Sequence, residues 1–380
     1  MKKIISAIGA IILLFLVVII LVIYVRYGGG GELADLTTQP SRSIAEVEVV
    51  ARLEMPPCNI AVSDGGRIFF TFHPEAHPDV NVVELVDGVA VPFPSAAFNS
   101  SGKGIHFQSV QSVRIDRQGR LWALDHGNHG SGQPRLLAFD INTRRLVHQY
   151  DFPAEIAPLG SQLNDFQITS AGDYIYIADA SIFRKSPAII VYDIKNKRSR
   201  RVLENHASVT AEKNCIVVHG KKTVVFGIFA IRPNIDSFAL DQEGEWLYYG
   251  PTTSRHMYRI QTKYLLDWHV GASELPSKVE IFSKKTMSDG IAIDRQGTIY
   301  ITNPEQSSVD VINQKKVLST LFKDPSLVWP DGFSFGPDNW LYMTNSGLHK
   351  VVMKSRKTII ANGPYTIVRF KVDAGGVPGQ

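Results

Sequence analysis

The chain has 380 residues, of which 44% are hydrophobic and 20% are charged, and its formal net charge is +4. This composition is that of a globular protein rather than a disordered one, and the length is normal for one large all-β domain. The small net charge and the scattered basic residues give no electrostatic footprint for nucleic acid, so no nucleic-acid partner is expected.

The first segment is an unbroken apolar run from Ile4 to Val25, preceded by two lysines. A bilayer-spanning helix needs about 20 apolar residues, and the apolar core of a cleaved signal peptide is usually shorter. The run therefore predicts an uncleaved membrane anchor over residues 1–27, with a signal segment as the alternative. A stretch rich in Gly, Thr, Gln and Pro predicts a flexible linker over residues 28–43. The domain that follows, residues 44–380, is then expected outside the cytoplasm, in a periplasm or at the cell surface.

One sequence phrase recurs six times after the linker. Each copy is a short apolar strand, a tight turn carrying Gly, Asp or Asn, and a second, aromatic-rich strand. The copies occupy residues 59–71, 111–125, 164–179, 236–250, 289–302 and 331–344. Two further strands follow the copies, as in residues 134–152 and 187–204. Six repeats of four strands predict an all-β fold, a six-bladed β-propeller, with an N-terminal transmembrane helix.

Two segments lie outside the regular repeat. The strand-rich residues from Ile44 to Leu53 precede the first copy and are expected to supply the closing strand of the last blade. The insertion from Asn205 to Ile235 separates the third and fourth repeats, and a long loop on a regular scaffold often shapes a ligand site. Cys58 and Cys215 are expected to remain separate thiols, because two cysteines in a chain of this size do not make a disulfide framework.

The aligned copies share a polar or ligand-capable residue at the start of the first strand. The innermost strand of each blade lines the central channel, so these six side chains are expected to meet at one channel mouth. Taken singly, Asp-Gly and Asn-Asp pairs also cap turns, which is the structural alternative for each residue. The six residues are Cys58, Gln111, Asn164, Asp236, Asp289 and Asp331.

Carboxylates that converge on one axis repel each other, and a bound cation balances them. An oxygen-only donor set favours Ca²⁺ or Mg²⁺, and the predicted metal ligands are Asn164, Asp236, Asp289 and Asp331. The predicted catalytic residues are Asp236, Asp289 and Asp331, as candidate general bases. The predicted ligand-binding residues are Gln111, Asn164, Phe166, Phe229 and Trp329. No nucleotide or organic cofactor is expected, and the sequence contains no phosphate-binding P-loop.

Other polar residues are assigned to structure rather than to a site. Asp116 and Asp294 follow the first strand inside Asp-Arg-Gln-Gly turns and are predicted to form those turns. His126 and His129 have a spacing that would suit a metal, but they lie in a Gly-rich loop and are predicted to be solvated.

Several segments resemble the major royal jelly/Yellow protein family. They are residues 121–125 followed by 134–140, residues 175–179 followed by 188–193, and residues 247–251 followed by 258–262. The resemblance runs from about residue 50 to the C-terminus. It implies a six-bladed propeller, a relationship to dopachrome-converting enzymes, and a relationship to proteins that hold small aromatic amines in the channel.

A second resemblance, to the senescence marker/gluconolactonase propellers, rests on three dipeptides. These are Asn164-Asp165, Asp289-Gly290 and Asp331-Gly332. The resemblance implies a divalent metal in the channel, with a glutamate from the first blade among its ligands. This chain has Cys58-Asn59 at that place, a departure that leaves Asp331 as the replacement carboxylate.

The sequence leaves three functions open. The first is a membrane-anchored propeller that binds a small organic molecule at the channel mouth and isomerises it in the manner of a dopachrome tautomerase. The second is a divalent-metal-dependent lactonase of the gluconolactonase type. The third is a non-catalytic propeller that binds a ligand or serves as a scaffold.

Overall fold

The computed structural model describes residues 2–100, 102 and 104–380. Six four-stranded antiparallel sheets form a six-bladed β-propeller, which confirms the predicted fold class. We number the blades I to VI in chain order and the strands of each blade from the channel outwards. Blades I to III comprise Pro57–Val62, Ile68–Phe72, Val82–Val86 and Val89–Pro92; Val110–Ile115, Arg120–Asp125, Arg135–Asp140 and Leu146–Asp151; and Leu163–Ile168, Tyr174–Asp179, Ala188–Asp193 and Arg198–Val202. Blades IV to VI comprise Ile235–Leu240, Trp246–Pro251, His256–Gln261 and Glu280–Lys284; Ile291–Ile293, Ile299–Asn303, Ser308–Ile312 and Leu318–Lys323; and Pro330–Phe335, Trp340–Asn345, Tyr365–Lys371 and Glu48–Leu53.

The propeller is closed by a strand from the beginning of the domain. Glu48–Leu53 pairs antiparallel with Tyr365–Lys371 and forms the outer strand of blade VI. The closing strand predicted from the sequence is therefore confirmed. Closure joins the two ends of the domain by a row of backbone hydrogen bonds, so the circular sheet arrangement has few free edges.

The C-terminal tail lies across the end of the channel that the inner strands run towards. The backbone N–H of Ile115 donates to the carbonyl of Gly379, and the N–H of Phe335 donates to the carbonyl of Gln380. Gly379 has a φ of +81°, and a Cβ atom there would meet the carbonyl oxygen of Ile115 at 2.7 Å. The tail therefore packs tightly on blades II and VI, at the end of the channel opposite to the site described below.

Short helices and hairpins decorate the blades. The α-helices are Lys2–Tyr27, Ala96–Asn99, Gly127–Gly130, Thr262–Leu266 and Arg356–Ala361, and the 3₁₀ helices are Ile44–Glu46, Pro74–Ala76, Leu275–Lys278 and Leu348–Lys350. The insertion between blades III and IV holds two hairpins, Val217–Val218 with Lys221–Lys222 and Val224–Val225 with Phe229–Ala230.

The N-terminal helix Lys2–Tyr27 is long and apolar enough to cross a membrane, by its length and composition. Its side chains are mostly exposed. The domain boundaries drawn from the sequence stay a prediction, but the structure places the linker against the propeller. Gly31 pairs with Asn214 of the insertion, and Ser41 and Arg42 donate to the carbonyls of Thr320 and Leu321 in blade V.

The hydrophobic core lies between neighbouring blades. Blades II and III, for example, enclose Trp122, Phe166, Ile177 and Tyr192, which are fully buried.

The turn carboxylates behave as predicted from the sequence. Asp116 accepts from the N–H groups of Gln118 and Arg120, and Asp294 accepts from those of Gln296 and Thr298.

A buried ion pair ties the first three blades together beside the channel. The guanidinium of Arg114 in blade II donates to Asp165 Oδ2 of blade III at 2.8 Å and to Asn59 Oδ1 of blade I at 2.8 Å. The side chains of Arg114 and Asp165 are only 2% and 9% exposed. A charge that loses its partner at this depth has no solvent to compensate it.

We predict that Arg114→Met lowers the free energy of unfolding by about 3–5 kcal/mol, because Asp165 is left buried without its countercharge. Urea unfolding of the variant and of the parent protein measures the difference. Arg117→Met is the control, since Arg117 is exposed in the adjacent turn. The double variant Arg114→Met/Asp165→Leu is expected to recover part of the loss. Equal stability of Arg114→Met and Arg117→Met would contradict the assigned role of the ion pair.

Candidate functional site

Six side chains, one from each blade and each on the inner strand or just before it, surround one end of the channel. They line a single cavity of about 380 Å³, which lies in the size range of small-molecule sites. We call them the channel ring: Cys58, Gln111, Asn164, Asp236, Asp289 and Asp331. The structure thus brings together the residues that the aligned repeats placed at one mouth.

A β-bulge in the inner strand positions most of the ring. An extra residue at a bulge bends the strand and re-aims its side chain. Five inner strands have such a register shift, and each shift contains one ring residue. The shifts lie between Pro57 and Ile60, Val110 and Ser112, Leu163 and Phe166, Ile235 and Ser237, and Pro330 and Phe333. In blade V, Asp289 precedes the strand Ile291–Ile293.

Two glycines allow the inner strands to approach each other at the ring. A Cβ atom on Gly290 would overlap the carbonyl oxygen of Asp331, and one on Gly332 would lie 3.1 Å from the Cα atom of Asn59. Neither glycine has a positive φ, so the backbone conformation does not require glycine at these two positions. The Asp-Gly pairs are therefore a packing requirement, and they bring the ring carboxyl groups close to one another.

The three ring carboxyl groups, which we call the acid trio, lie together at the floor of the cavity. Asp236 and Asp289 lie beside each other and perturb each other's ionisation. The amide of Asn164 donates to Asp236 Oδ1, and the hydroxyl of Thr252 donates to Asp236 Oδ2 at 2.9 Å. The indole Nε1 of Trp329 donates to Asp289 Oδ2 at 2.6 Å. Two neighbouring buried carboxyl groups repel each other when both are ionised, so retention of a proton by the pair is favoured.

Burial raises the pKa of all three trio carboxyl groups, because the cavity floor is screened from water. The charge of Asp289 then raises the pKa values of Asp236 and Asp331 further, to well above the ordinary range. A hydrogen bond from Trp329 opposes the rise at Asp289. Asp236 and Asp331 therefore hold protons to higher pH than an ordinary aspartate does.

A buried lysine lies behind Asp236 and was missed in the sequence. Lys285 Nζ donates to the carbonyl of Thr252 at 3.3 Å and to Ser288 Oγ at 2.8 Å. Burial lowers the pKa of Lys285 to about 7, while the charges of Glu212 and Asp236 oppose that fall. Lys285 thus adds a further titratable group next to the acid trio.

A second cluster joins the ring to blade I. Cys58, His73 and Asp331 each offer one ligand-capable atom, and these atoms lie within 4.8 Å of one another. Burial lowers the pKa of His73 to about 4, so its imidazole is neutral at neutral pH. Burial and the charge of Asp331 raise the pKa of the Cys58 thiol. Sequence reasoning missed His73 because it follows the second strand of blade I, outside the aligned positions.

The predicted aromatic residues occupy three different environments. Phe229 lines the cavity. Trp329 is buried, holds Asp289 through its indole N–H, and stacks on His349 with a 5.7 Å centroid separation. Phe166 is fully buried in the core between blades II and III and does not line the cavity, which corrects its predicted contact with a ligand. The strand alternation is re-established after the bulge, so Phe166 points between the blades and Asn164 points to the channel.

The His126–His129 loop is packed rather than solvated, which corrects the sequence prediction. His126 is 2% exposed, and burial lowers its pKa to about 3. His129 Nε2 lies 3.4 Å from Glu75 Oε1.

Cys58 and Cys215 are both buried free thiols, as predicted.

The entrance to the cavity is apolar. Phe183, Phe226 and Ile228 line it together with Phe229, and Ile23 of the N-terminal helix completes this wall. The insertion therefore shapes the site, as its length predicted. An apolar entrance above an acidic floor suits a molecule with an apolar body and a polar end.

The fold and the cavity together define a six-bladed propeller with an acidic, small-molecule-sized cavity at one channel mouth. The chain belongs to the major royal jelly protein family, whose sequence profile matches residues 108–373. The chain is 26% identical to major royal jelly protein 7 of Apis mellifera over 240 residues, which are 60% of this chain and 52% of that protein. It is 28% identical to a Yellow-related salivary protein of Phlebotomus argentipes over 178 residues, which are 40% of this chain and 42% of that protein. The chain thus spans about half the length of the curated relatives that it matches.

Solved structures with the same architecture include two enzymes. A luciferin-regenerating enzyme has a TM-score of 0.57 and 14% identity, over 88% of this chain and 97% of that chain. A gluconolactonase from Xanthomonas campestris has a TM-score of 0.54 and 12% identity, over 90% of this chain and 98% of that chain. At these identities the likeness establishes the fold alone.

The raised pKa of Asp236 predicts how stability changes with pH. Unfolded aspartate releases its proton near pH 3.9, whereas folded Asp236 retains it to higher pH. The folded state therefore binds more protons in this window, and the free energy of unfolding falls as the pH rises through it. We predict that Asp236→Asn removes this loss, so its stability relative to the parent protein increases from about pH 4 to about pH 8.

Urea unfolding at both pH values measures the effect. The control is Asp64→Asn, which changes an exposed carboxylate in a turn of blade I and is expected to give the same small difference at both values. A stability difference for Asp236→Asn that does not change with pH would contradict the raised pKa.

Proposed function

We propose that this protein binds a small organic molecule in the channel cavity and isomerises it by proton transfer, as a tautomerase does. The feature that supports the proposal most strongly is the Asp236–Asp289 pair, two neighbouring, desolvated carboxyl groups with raised pKa values on the floor of an otherwise largely apolar cavity. A tautomerisation moves a proton from one atom of the substrate to another, so it needs one group that accepts a proton and one that donates it. The pair supplies both.

The two carboxyl groups are suited to different steps. Asp289 accepts a hydrogen bond from the indole N–H of Trp329, which stabilises its ionised form. We assign Asp289 as the base that takes a proton from the substrate. Asp236 keeps its proton to higher pH and is assigned as the acid that returns one. The amide of Gln111, which lies 3.3 Å from the Cys58 thiol, is the candidate donor to a developing oxyanion.

The same geometry supports binding of a cationic or aromatic ligand. An ammonium group placed on the acid trio would relieve the repulsion among the carboxylates and favour their ionised forms. An aromatic ring would meet Phe183, Phe226 and Phe229 in the entrance wall. An aromatic amine with an oxidisable or enolisable group therefore fits both halves of the cavity.

We predict that Asp289→Asn lowers kcat for dopachrome tautomerisation by a factor of about 10² to 10⁴, because the amide cannot accept the proton. The full-length protein in detergent micelles is assayed by the loss of dopachrome absorbance. Asp64→Asn is the matched control and is expected to retain the parent rate. The proposed catalysis is wrong if Asp289→Asn and Asp64→Asn turn over dopachrome equally. If no variant has activity, binding of tryptamine by calorimetry separates a ligand-binding propeller from an enzyme that uses another substrate.

A divalent cation at the ring is the second candidate, because four oxygen-bearing side chains from four successive blades converge there. Asn164, Asp236, Asp289 and Asp331 would hold Ca²⁺ or Mg²⁺, whose preferred ligands are oxygens. They lie at one end of the channel, and the mutual repulsion of their carboxylates favours a positive charge there. The carboxyl oxygens of the three aspartates do not lie within 4.8 Å of one another as a set, so these side chains would have to draw together around the ion. Such an ion would polarise the carbonyl of a lactone for hydrolysis.

We predict that, if the cation is present, Ca²⁺ raises the melting temperature of the parent protein and has no such effect on Asp236→Asn/Asp331→Asn. Each substitution removes a negative oxygen ligand from the site. Thermal unfolding with Ca²⁺, Mg²⁺ or EGTA measures the shift, and hydrolysis of glucono-δ-lactone tests the associated activity. An identical melting temperature of the parent protein in Ca²⁺ and EGTA would remove this candidate.

A further inference from the structure

The N-terminal helix ends directly on the entrance of the cavity. The ring of Tyr27 stacks on Phe229 with a centroid separation of 4.7 Å, and its hydroxyl donates to the carbonyl of Phe183 at 2.7 Å. Arg26 donates to the carbonyl of Arg184 at 2.8 Å. Gly28 is buried, and a Cβ atom there would lie 2.8 Å from the carbonyl oxygen of Ile228. The junction is therefore a packed contact that fixes which face of the propeller is nearest to the helix.

Exposed apolar side chains surround this junction. Their exposed fractions are 80% for Phe226, 73% for Leu159, 64% for Met353 and 46% for Phe183. They come from four segments of the chain: the insertion, the connection between blades II and III, and loops within blades III and VI. We call these four side chains the entrance rim. Water is a poor solvent for apolar side chains, so a cluster of this kind around one opening indicates a surface that is covered.

The four rim side chains share one end of the propeller. Phe183, Phe226 and Met353 line the cavity entrance together with Ile23 of the helix. Leu159 adjoins them, because the neighbouring Gly160 accepts a hydrogen bond from the N–H of Arg184 at 3.4 Å.

The N-terminal helix indicates that a membrane covers the rim. Its 26 residues span about 39 Å at 1.5 Å per residue, which exceeds the roughly 30 Å hydrocarbon core of a bilayer. Its propeller end carries Tyr24, Arg26 and Tyr27, the residue types that anchor helices at the membrane–water interface. A membrane that holds this helix must therefore lie at the level of the rim.

Basic side chains accompany the apolar ones. Arg184 is exposed next to Phe183, and Lys354 is exposed next to Met353. Lys185 Nζ lies 5.0 Å from the centroid of the Tyr27 ring. Cations beside exposed apolar groups match the layered chemistry of a phospholipid surface, with acyl chains below and phosphate groups above.

We propose that the entrance rim docks on the lipid bilayer that holds the N-terminal helix, so that the channel cavity opens to the membrane rather than to bulk water. Docking buries Phe226, Leu159, Met353 and Phe183 among the acyl chains. The ligand class follows if the proposed small-molecule function holds: an amphiphile that partitions into the bilayer and presents its polar end to the acid trio. The docking itself does not depend on that function.

The test measures the depth of the rim in a membrane. Phe226→Cys in the full-length protein is labelled with an environment-sensitive NBD fluorophore and reconstituted into phosphatidylcholine/phosphatidylglycerol vesicles. The native Cys58 and Cys215 are buried and give the labelling background, which the unsubstituted protein measures. Val317→Cys is the matched control, because Val317 is 54% exposed in an outer hairpin turn at the opposite end of the propeller.

For the probe at residue 226 we expect a blue-shifted emission. We also expect this emission to be strongly quenched by lipids that carry a spin label on the acyl chain. We expect neither for the probe at residue 317. Water-like emission without quenching at residue 226 would overturn the proposal, as would equal quenching at the two positions. A blue shift without lipid quenching, together with a dimer in a crosslinking assay, would assign the rim to a second copy of the chain and would equally overturn it. Equal dopachrome turnover by Asp289→Asn and Asp64→Asn would count against the proposed function alone and would leave this result unchanged.

Discussion

The mutual repulsion of three carboxyl groups at the channel axis is the constraint on which the rest of the site depends. Asp236, Asp289 and Asp331 come from neighbouring blades and lie in a region where water cannot screen them. Such a cluster persists only when protons, a cation or a positively charged ligand reduces its charge. Each proposed function is one way in which this compensation is achieved.

The fold maintains the cluster through β-bulges, close strand packing, the closing strand and an ion pair rather than through hydrophobic burial. The bulges turn the ring side chains toward the axis, while Gly290 and Gly332 permit the close approach of the inner strands. The closing strand and the buried Arg114–Asp165 pair hold the blades in their circular arrangement. A propeller is suited to this task, because each blade contributes one side chain to the axis from a rigid strand.

The repeat made the fold and the channel ring predictable from the sequence. Aligned copies share their position in the blade, so a residue at one place in the copy identifies its five counterparts. The same reasoning failed for Phe166, because a bulge reverses the side-chain alternation expected from strand periodicity. It also missed His73, Thr252 and Lys285, which reach the site from positions outside the aligned strand. The packing of the N-terminal helix on the insertion is a long-range contact that sequence periodicity does not encode.

Retention of protons by the acid trio in the folded protein is measured most directly by a carboxyl titration. Aspartate labelled with ¹³C at the carboxyl group would be followed by NMR as a function of pH in the metal-free protein. We expect one resonance that is lost in Asp236→Asn and one that is lost in Asp331→Asn, each with a midpoint well above the ordinary aspartate pKa of about 3.9. Titration of every aspartate near that ordinary value would contradict this expectation.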